Sequence, residues 1–539
     1  MIIQLKQILG RCLLQIMPTI RNEERKPLSF STTMRNPERI AGFISCLIPF
    51  ENQLLTSELI HKIVGNVIKS KLYKTMYENS VPRYKMIFAD EDAQFSDSDV
   101  EDIITNSPQK HKEAGFDYGW DSRFDTWFKL PMEFGFIQYA MNKPLRISNT
   151  GHMLIDAYQE IPINNIKIQN VFLNALMKYQ SSNPFRRNAN DNVPLILLLN
   201  LLKLLKEDPE ENGAGISRQE IPILLCWQDN NYKKLYSYIK EIRKENGFNF
   251  SNEFIYERCL ELLEADDSKR NRFKMSQICG EAVDEYIRKM RSTGIISFRG
   301  NGRFIDINTI ESDKIEYIIS NYTEYTSYSD INEYYSYMGN IDSKILDMHQ
   351  AETMDLSDIR KQTLLKYAEE YSIDKVFDEL DKVCNKRDSV DPVLKFINAP
   401  TRLEFLVSIA LVQQFKGLDV NPNYSVDDEG LPTFTAGGGV ADIECYDDDY
   451  NSYYEVTLMC GRADQVNNEI VPIRRHLMEA KEKMPNIFSV FIAPIIHADT
   501  KEIAEWYKHK DNIDILTFDI NQFIEKITQY DKASQLLVG

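Results

Sequence analysis

Long apolar runs are missing from this chain. The richest stretch, Val193–Leu205, is interrupted by Asn200 and Lys203, so it falls short of the ~18 consecutive apolar residues that a membrane-spanning helix requires. Met1–Ile20 is broken by Gln4, Lys6 and Arg11, which argues against a secretory signal. Histidine is scarce: seven residues in 539, with no His-Glu-x-x-His pair, and no Gly-x-x-x-x-Gly-Lys-Ser/Thr loop is present to cradle nucleotide phosphates. The eight cysteines include no Cys-x-x-Cys; this predicts buried free thiols in a reducing cytosol and excludes a zinc ribbon. Positive charge is also short, with 63 Lys/Arg against 81 Asp/Glu and a net charge of −18. For a partner rich in phosphate that balance is unfavourable unless the basic residues are concentrated locally.

They are concentrated. Residues 401–539 hold 12 Lys/Arg against 23 Asp/Glu, whereas Ser268–Phe304 holds nine against three. A local basic footprint is what a groove-reading module needs. The remaining composition, 43% hydrophobic and 27% charged, suits a folded globular chain, and its length predicts about three or four domains at ~150 residues each.

Apolar residues recur at helical spacing in Ile40–Ile48 and Leu55–Val67. Just before them, Ser31–Arg39 carries small polar groups, Pro37, Arg35 and Arg39; a helix start of this kind holds a phosphate or is a plain cap. Ala89–Asp102 is acidic and reads as a loop. Trp120–Ile137 followed by Pro144–Leu154 reads as a helix ending in a short β-wing, and Ser181–Asn188, with Arg186 and Arg187, reads as a break before a helical block starting at Val193. Ser217 and Glu220 have capping-box spacing and predict a helix start. Met275–Arg291 predicts an amphipathic helix, and Thr293–Ile307 a basic hairpin around Gly300-Asn301-Gly302. Arg288, Lys289, Arg291, Arg299 and Arg303 form one patch there, expected to meet phosphates or groove edges. Residues 308–390, rich in Tyr, Asp, Ser and Glu, read as a helical connector.

From residue 391 the pattern changes to helices alternating with strands, an α/β arrangement. Thr401 is the expected N-cap of a helix containing Glu404 and running through Phe415. Gly437-Gly438-Gly439 precedes Asp442, and the polar turn 447–451 separates two strand-like runs. With the turn centred between residues 448 and 449, Asp442 and Glu455 become cross-strand partners, roughly 4.5–5.5 Å apart at Cβ. Two acids so placed repel unless a cation lies between them. Mg2+, which prefers oxygen ligands, is the expected cofactor, with the Val456 carbonyl as a further donor and Thr457 on the face of Glu455. The alternative is a pair of ordinary solvated strand acids; the glycine run argues for close approach of a ligand or backbone. Arg462–Lys483 reads as a helix that Pro472 must kink or restart.

Together these residues resemble the AlwI group of type IIS restriction endonucleases, whose relatives include MlyI, PleI and BstNBI-type nicking endonucleases. The resemblance extends over most of the chain and is strongest over residues 400–480. It implies a multidomain α+β protein: a mostly helical recognition region with winged helix-turn-helix modules at 1–180 and 181–307, a helical linker at 308–390 and a PD-(D/E)XK cleavage domain at 391–539. It also implies active-site roles for Glu404, Asp442, Glu455, Glu469 and His476, with Asp442, Glu455, Val456 and Glu404 holding Mg2+. Thr457 departs from the pattern, because many such nucleases have lysine there. The implied partners are double-stranded DNA, a transient homodimer through the cleavage domain or a small partner subunit, and a cognate DNA methyltransferase, in a bacterial cytoplasm without membrane association. Strand-specific nicking, a role as large subunit of a heterodimeric enzyme, a homing or repair nuclease, and a non-enzymatic winged-helix regulator remain the alternatives.

Overall fold

The computed structural model describes residues 24–538 apart from 35, 36, 91, 162, 212, 214, 249 and 349–355. It is a helix-rich α+β protein, and none of its described helices is long and apolar enough to cross a membrane.

The expected N-terminal helices form at Pro37–Ser45 and Ser57–Lys69; Thr56 caps the second by accepting the Leu59 N–H at 3.2 Å. The acidic loop expected over Ala89–Asp102 is shorter than predicted. Ser96 and Asp99 form a reciprocal capping box, and Val100, Ile103 and Ile104 bury one face, so Asp97–Asn106 is a helix. The first wing also differs. After the helix Trp120–Glu133, only Ile137–Gln138 pairs with Arg146–Ile147, and Ser148 then caps a new helix, Asn149–Gln159. Gly151 lets that helix sit on the hairpin, since a Cβ there would stand 2.2 Å from the Phe136 carbonyl oxygen.

In the second region, strand β1 (Ile216–Ser217) precedes a short helix, Ile221–Cys226. Ser217 lies in the strand and therefore does not cap the helix. Half of the expected box survives as the Ser217 N–H donating to Glu220 at 2.7 Å. A π turn, Gln277–Glu281, leads into α1 (Ala282–Arg291), followed by β2 (Ile296–Arg299) and β3 (Phe304–Ile307). The three strands form an antiparallel sheet in the order β1-β3-β2. Gly300, Asn301 and Gly302 all take positive φ, 57°, 53° and 79°, the left-handed turn for which that triplet is suited. Between residues 308 and 390 the described residues form the helices Ser312–Tyr322, Ile331–Gly339, Ser343–Asp347, Ser357–Glu370 and Ile373–Cys384, and these are packed rather than slack: Lys178 donates to the carbonyls of Tyr337 and Asn340, and Gln413 to those of Ala368 and Tyr371.

The C-terminal part opens with α2 (Ala399–Gln414). Its N-cap is Asn398, with Pro400 in the first turn; Thr401 lies one turn further in, buried, because the proline suits a position whose N–H has no helical partner. A five-stranded mixed sheet follows: β4 (Asp419–Pro422), β5 (Ile443–Tyr446), β6 (Asn451–Val456), β7 (Ile487–Ala493) and β8 (Ile515–Asp519), in the order β8-β7-β6-β5-β4. β4, β5 and β6 are antiparallel neighbours, while β6, β7 and β8 run parallel. β7 is buried along its whole length, as a central strand covered on both faces must be. Its period of two divides the packing: Phe488, Val490 and Ile492 join the core with α2 and a C-terminal helix, α5 (Ile520–Gln529). Ile487, Phe491 and Ala493 join a second cluster with Ile473 and Leu477 of α3 (Val471–Lys483) and Tyr507 of α4 (Ala498–Asp511).

Candidate active site

The β5–β6 ladder pairs Cys445 with Ser452, Glu444 with Tyr453 and Ile443 with Tyr454. One further step places residue 442 opposite residue 455, the register read from the turn. β5 begins at Ile443, so the Val456 N–H meets no strand carbonyl there. The Asp442 carboxylate takes that place, accepting the N–H at 2.7 Å. Asn423 holds the backbone of the same segment from the β4 side: its N–H donates to the Asp442 carbonyl and its side-chain amide to the Ala441 carbonyl, both at 2.8 Å.

Glu404 projects from the buried interior of α2 and accepts the Ala436 N–H at 3.1 Å, tying the helix to the glycine loop. Glu455 lies within hydrogen-bond reach of His476 Nδ1 at 3.3 Å, and the opposite nitrogen, His476 Nε2, is buried without a hydrogen-bond partner. Thr457 lies beside Glu469, and its hydroxyl favours the ionised carboxylate. A π segment, Gln465–Ile470, precedes Pro472. Pro472 lacks an N–H to donate within a helix, and the wider π turn absorbs that loss while Glu469 and His476 both remain on the side of the sheet end.

The electrostatics of the four acids interlock. Burial, then Glu455, pushes the Asp442 carboxyl well above the usual carboxylate range; burial, then Asp442, does the same to Glu404. Burial and Glu469 push Glu455 up to about 8, and burial and Asp442 push Glu469 up to about 7. Burial and then Arg475 lower His476. Among the described residues no lysine or arginine pairs with any of these carboxylates, and His476 is the basic side chain in contact. Two buried acids, Glu404 and Glu455, and two half-buried ones, Asp442 and Glu469, all oxygen donors without a Lys or Arg partner among the described residues, fit a hard divalent cation by chemistry. The side chains are not drawn into a ligand set: no group of three or more His, Cys, Asp or Glu among the described residues stands in a coordinating arrangement.

The basic residues singled out in the sequence have different surroundings. Arg35 lies outside the described residues. Arg39 is exposed, donating to the Leu72 carbonyl at 2.9 Å, and Arg187 is exposed too. Arg186 instead pairs with the buried Glu133 at 3.3 Å and donates to the Ser29 carbonyl. Lys289 is fully buried against Glu285, and Arg288 donates to the Lys395 carbonyl at 2.7 Å. Arg291 pairs with Asp427 at 3.1 Å. Arg299 grips both oxygens of Asp428, at 3.0 and 2.8 Å, and reaches Glu429. Asp428 also accepts from Ser297 and from the N–H and hydroxyl of Thr309. Most of the expected patch therefore faces protein carboxylates, and Arg303 is its exposed member. Asn423, Gln465 and the acids 427–429 escaped sequence reading, because their partners lie far away in the chain.

The class is that of the site-specific endonucleases, as the family match shows. The family is equally plain: the chain matches the AlwI restriction endonuclease family over residues 132–362 and 340–526, and it belongs to that family. Among curated proteins none matches. Similar solved structures include the small subunit R.BspD6I2 of the heterodimeric restriction endonuclease R.BspD6I, 23% identical, covering 29% of this chain and 76% of that one with a TM-score of 0.24. Restriction endonuclease FokI is 12% identical, covering 96% of each chain at a TM-score of 0.25, and its DNA-bound form is 11% identical with 96% of each chain at 0.22. Scores of that size carry no argument.

Proposed function

We propose that this chain is a type IIS restriction endonuclease that binds a short asymmetric duplex site through residues 1–307 and hydrolyses phosphodiester bonds a few base pairs outside it through residues 391–539. In this reading residues 1–180 and 181–307 are winged-helix recognition subdomains, 308–390 a linker, and 391–539 a PD-(D/E)XK cleavage domain. The proposal is carried by Asp442 on the Val456 N–H, Glu404 on the Ala436 N–H beside the glycine loop and Glu455 against His476, acids that no lysine or arginine among the described residues pairs with.

Asp442, Glu455, the Val456 carbonyl and Glu404 would hold Mg2+, which when bound supplies Lewis acidity at the phosphoryl group and lowers the pKa of water. The protein's own part is orientation. The Val456 N–H fixes the Asp442 carboxylate. His476 Nδ1 fixes Glu455. Ala436 fixes Glu404 beside the glycine loop, where the absence of side chains leaves room for a DNA strand. Glu469, beside Thr457 where many such nucleases have lysine, would accept a proton from the attacking water.

One carboxylate cluster cuts one strand. Cutting both strands then requires a second copy, meeting through the cleavage domain, or a small partner subunit; acting alone, the chain nicks. A cognate DNA methyltransferase completes such a system. Supercoiled plasmid incubated with Mg2+ tests the proposal: linear product means double-strand cutting and accumulated open circles mean nicking. Intact plasmid at every metal concentration would leave the non-enzymatic regulator as the better reading. Run-off sequencing of the product gives site, offset and strand together.

A further inference from the structure

Gln465 is completely buried at the first position of the π segment. Its carboxamide uses its full hydrogen-bonding capacity of two donors and two acceptor positions. The nitrogen donates to the carbonyls of Met459 at 3.1 Å and Ile495 at 2.6 Å; the oxygen accepts from the His497 N–H at 3.2 Å and the Thr500 hydroxyl at 3.1 Å. Met459 lies just past the end of β6, which finishes with Glu455 and Val456 and is followed by Thr457, and Ile495 lies just past the end of β7. A single side chain thus fastens the carboxyl ends of two parallel strands, and the start of α4, to the helix that carries Glu469. Two further contacts support the tie: the Gln465 N–H donates to the Gly461 carbonyl at 3.0 Å, and the His497 side-chain Nε2 lies 2.8 Å from the Cys460 carbonyl.

Glu469 follows Gln465 by four residues, roughly one π turn, and meets Thr457 at the strand end that Gln465 fastens. The Met459 N–H in turn donates to the Thr457 hydroxyl at 3.1 Å. We propose that Gln465 is a positioning residue for cleavage, setting the register of the π segment so that Glu469 is delivered through Thr457 to Asp442 and Glu455. This rests on the nuclease reading above. An isolated fold-stabilising amide would have effects independent of Glu469; a positioning amide acts through it.

The test is a double-mutant cycle read by single-turnover cleavage of a cognate oligonucleotide, alongside a metal-free mobility shift and Tm. Gln465→Met keeps the length and removes the polar head. Its cleavage rate is expected to fall by about 100-fold, the scale of a misplaced reacting group, with DNA affinity within about twofold of wild type. In a Glu469→Asp background, which retains a carboxylate and a residual rate, the same substitution is expected to cost less than about threefold more. A folded Gln465→Met protein with wild-type cleavage overturns the proposal, as does a loss that is equally large in both backgrounds. Should Gln465→Met not fold, Thr500→Val, which removes one donor to the same oxygen, is taken through the same cycle with the same criteria. A wild-type protein that binds its site but cuts nothing would instead overturn the nuclease reading, and this role with it.

Discussion

The Asp442 carboxylate accepts the Val456 N–H at 2.7 Å, so a candidate metal ligand is also the group that closes the β5–β6 ladder. The two roles separate by substitution. Asp442→Asn keeps an acceptor oxygen and is expected to fold, to bind its DNA site in a mobility shift and to lose cleavage by about 1,000-fold or more, the scale of losing a principal transition-state electrostatic group. Asp442→Ala loses the acceptor as well, and leaving a buried N–H unpaired costs about 1–3 kcal/mol, so its Tm falls below that of Asp442→Asn. Full cutting by either variant would remove Asp442 from the site.

Stability should depend on pH and metal together. Glu455 and Glu469 have folded-state values of about 8 and about 7 against an ordinary 4.5. The folded state therefore holds more protons than the unfolded one across that window, and stability falls as pH rises through it. Thermal melts in EDTA are expected to show Tm dropping from pH 5 to pH 8, with added Mg2+ restoring it at pH 8 and doing little at pH 5. A Tm in EDTA that is level across the range would contradict the buried, uncompensated carboxylates.

His476 touches Glu455 through Nδ1, and its Nε2 is buried without a partner. His476→Gln is expected to slow cleavage by about 10- to 100-fold, the lower range for loss of a group that orients or moves a proton, with DNA affinity unchanged. Equal rates for variant and wild type would leave the histidine as a packing residue.

Arg299 and Arg303 lie on the same hairpin and differ in exposure. Arg299 is held by Asp428, so Arg299→Ala is expected to lower stability by about 1–3 kcal/mol while leaving the salt dependence of DNA binding unaltered. Arg303 is exposed, and Arg303→Ala is expected to reduce the slope of log K against log salt by about one. The reverse pattern would return Arg299 to the DNA-reading face.

Where the governing interaction is local, the sequence was sufficient. The β5–β6 register followed from the position of the turn, the Gly300-Asn301-Gly302 hairpin from its left-handed residues, and the C-terminal succession of strands and helices from periodicity. Ser96 and Asp99 carried a readable capping signal that the surrounding acidity obscured, and Pro400 displaced the cap from Thr401 to Asn398. Distant partners left no such trace. Nothing around Arg291 or Arg299 announces acids more than a hundred residues later, and nothing around Gln465 announces Ile495 or Thr500. Within the site, Asp442 just before β5, Glu455 on β6 and Glu404 on α2 were legible as carboxylates; the π segment that accommodates Pro472 was not.

The acids 427–429 belong by chain position to the C-terminal part, yet they answer cations at 291 and 299. A hybrid joined at residue 390 would carry those acids to a host lacking the matching arginines, or leave the arginines facing a foreign turn. Interchange of parts between such enzymes is therefore keyed rather than free. The key is a three-residue turn outside the chemistry and beyond the splice, and a graft that keeps it with its two arginines is the one expected to assemble.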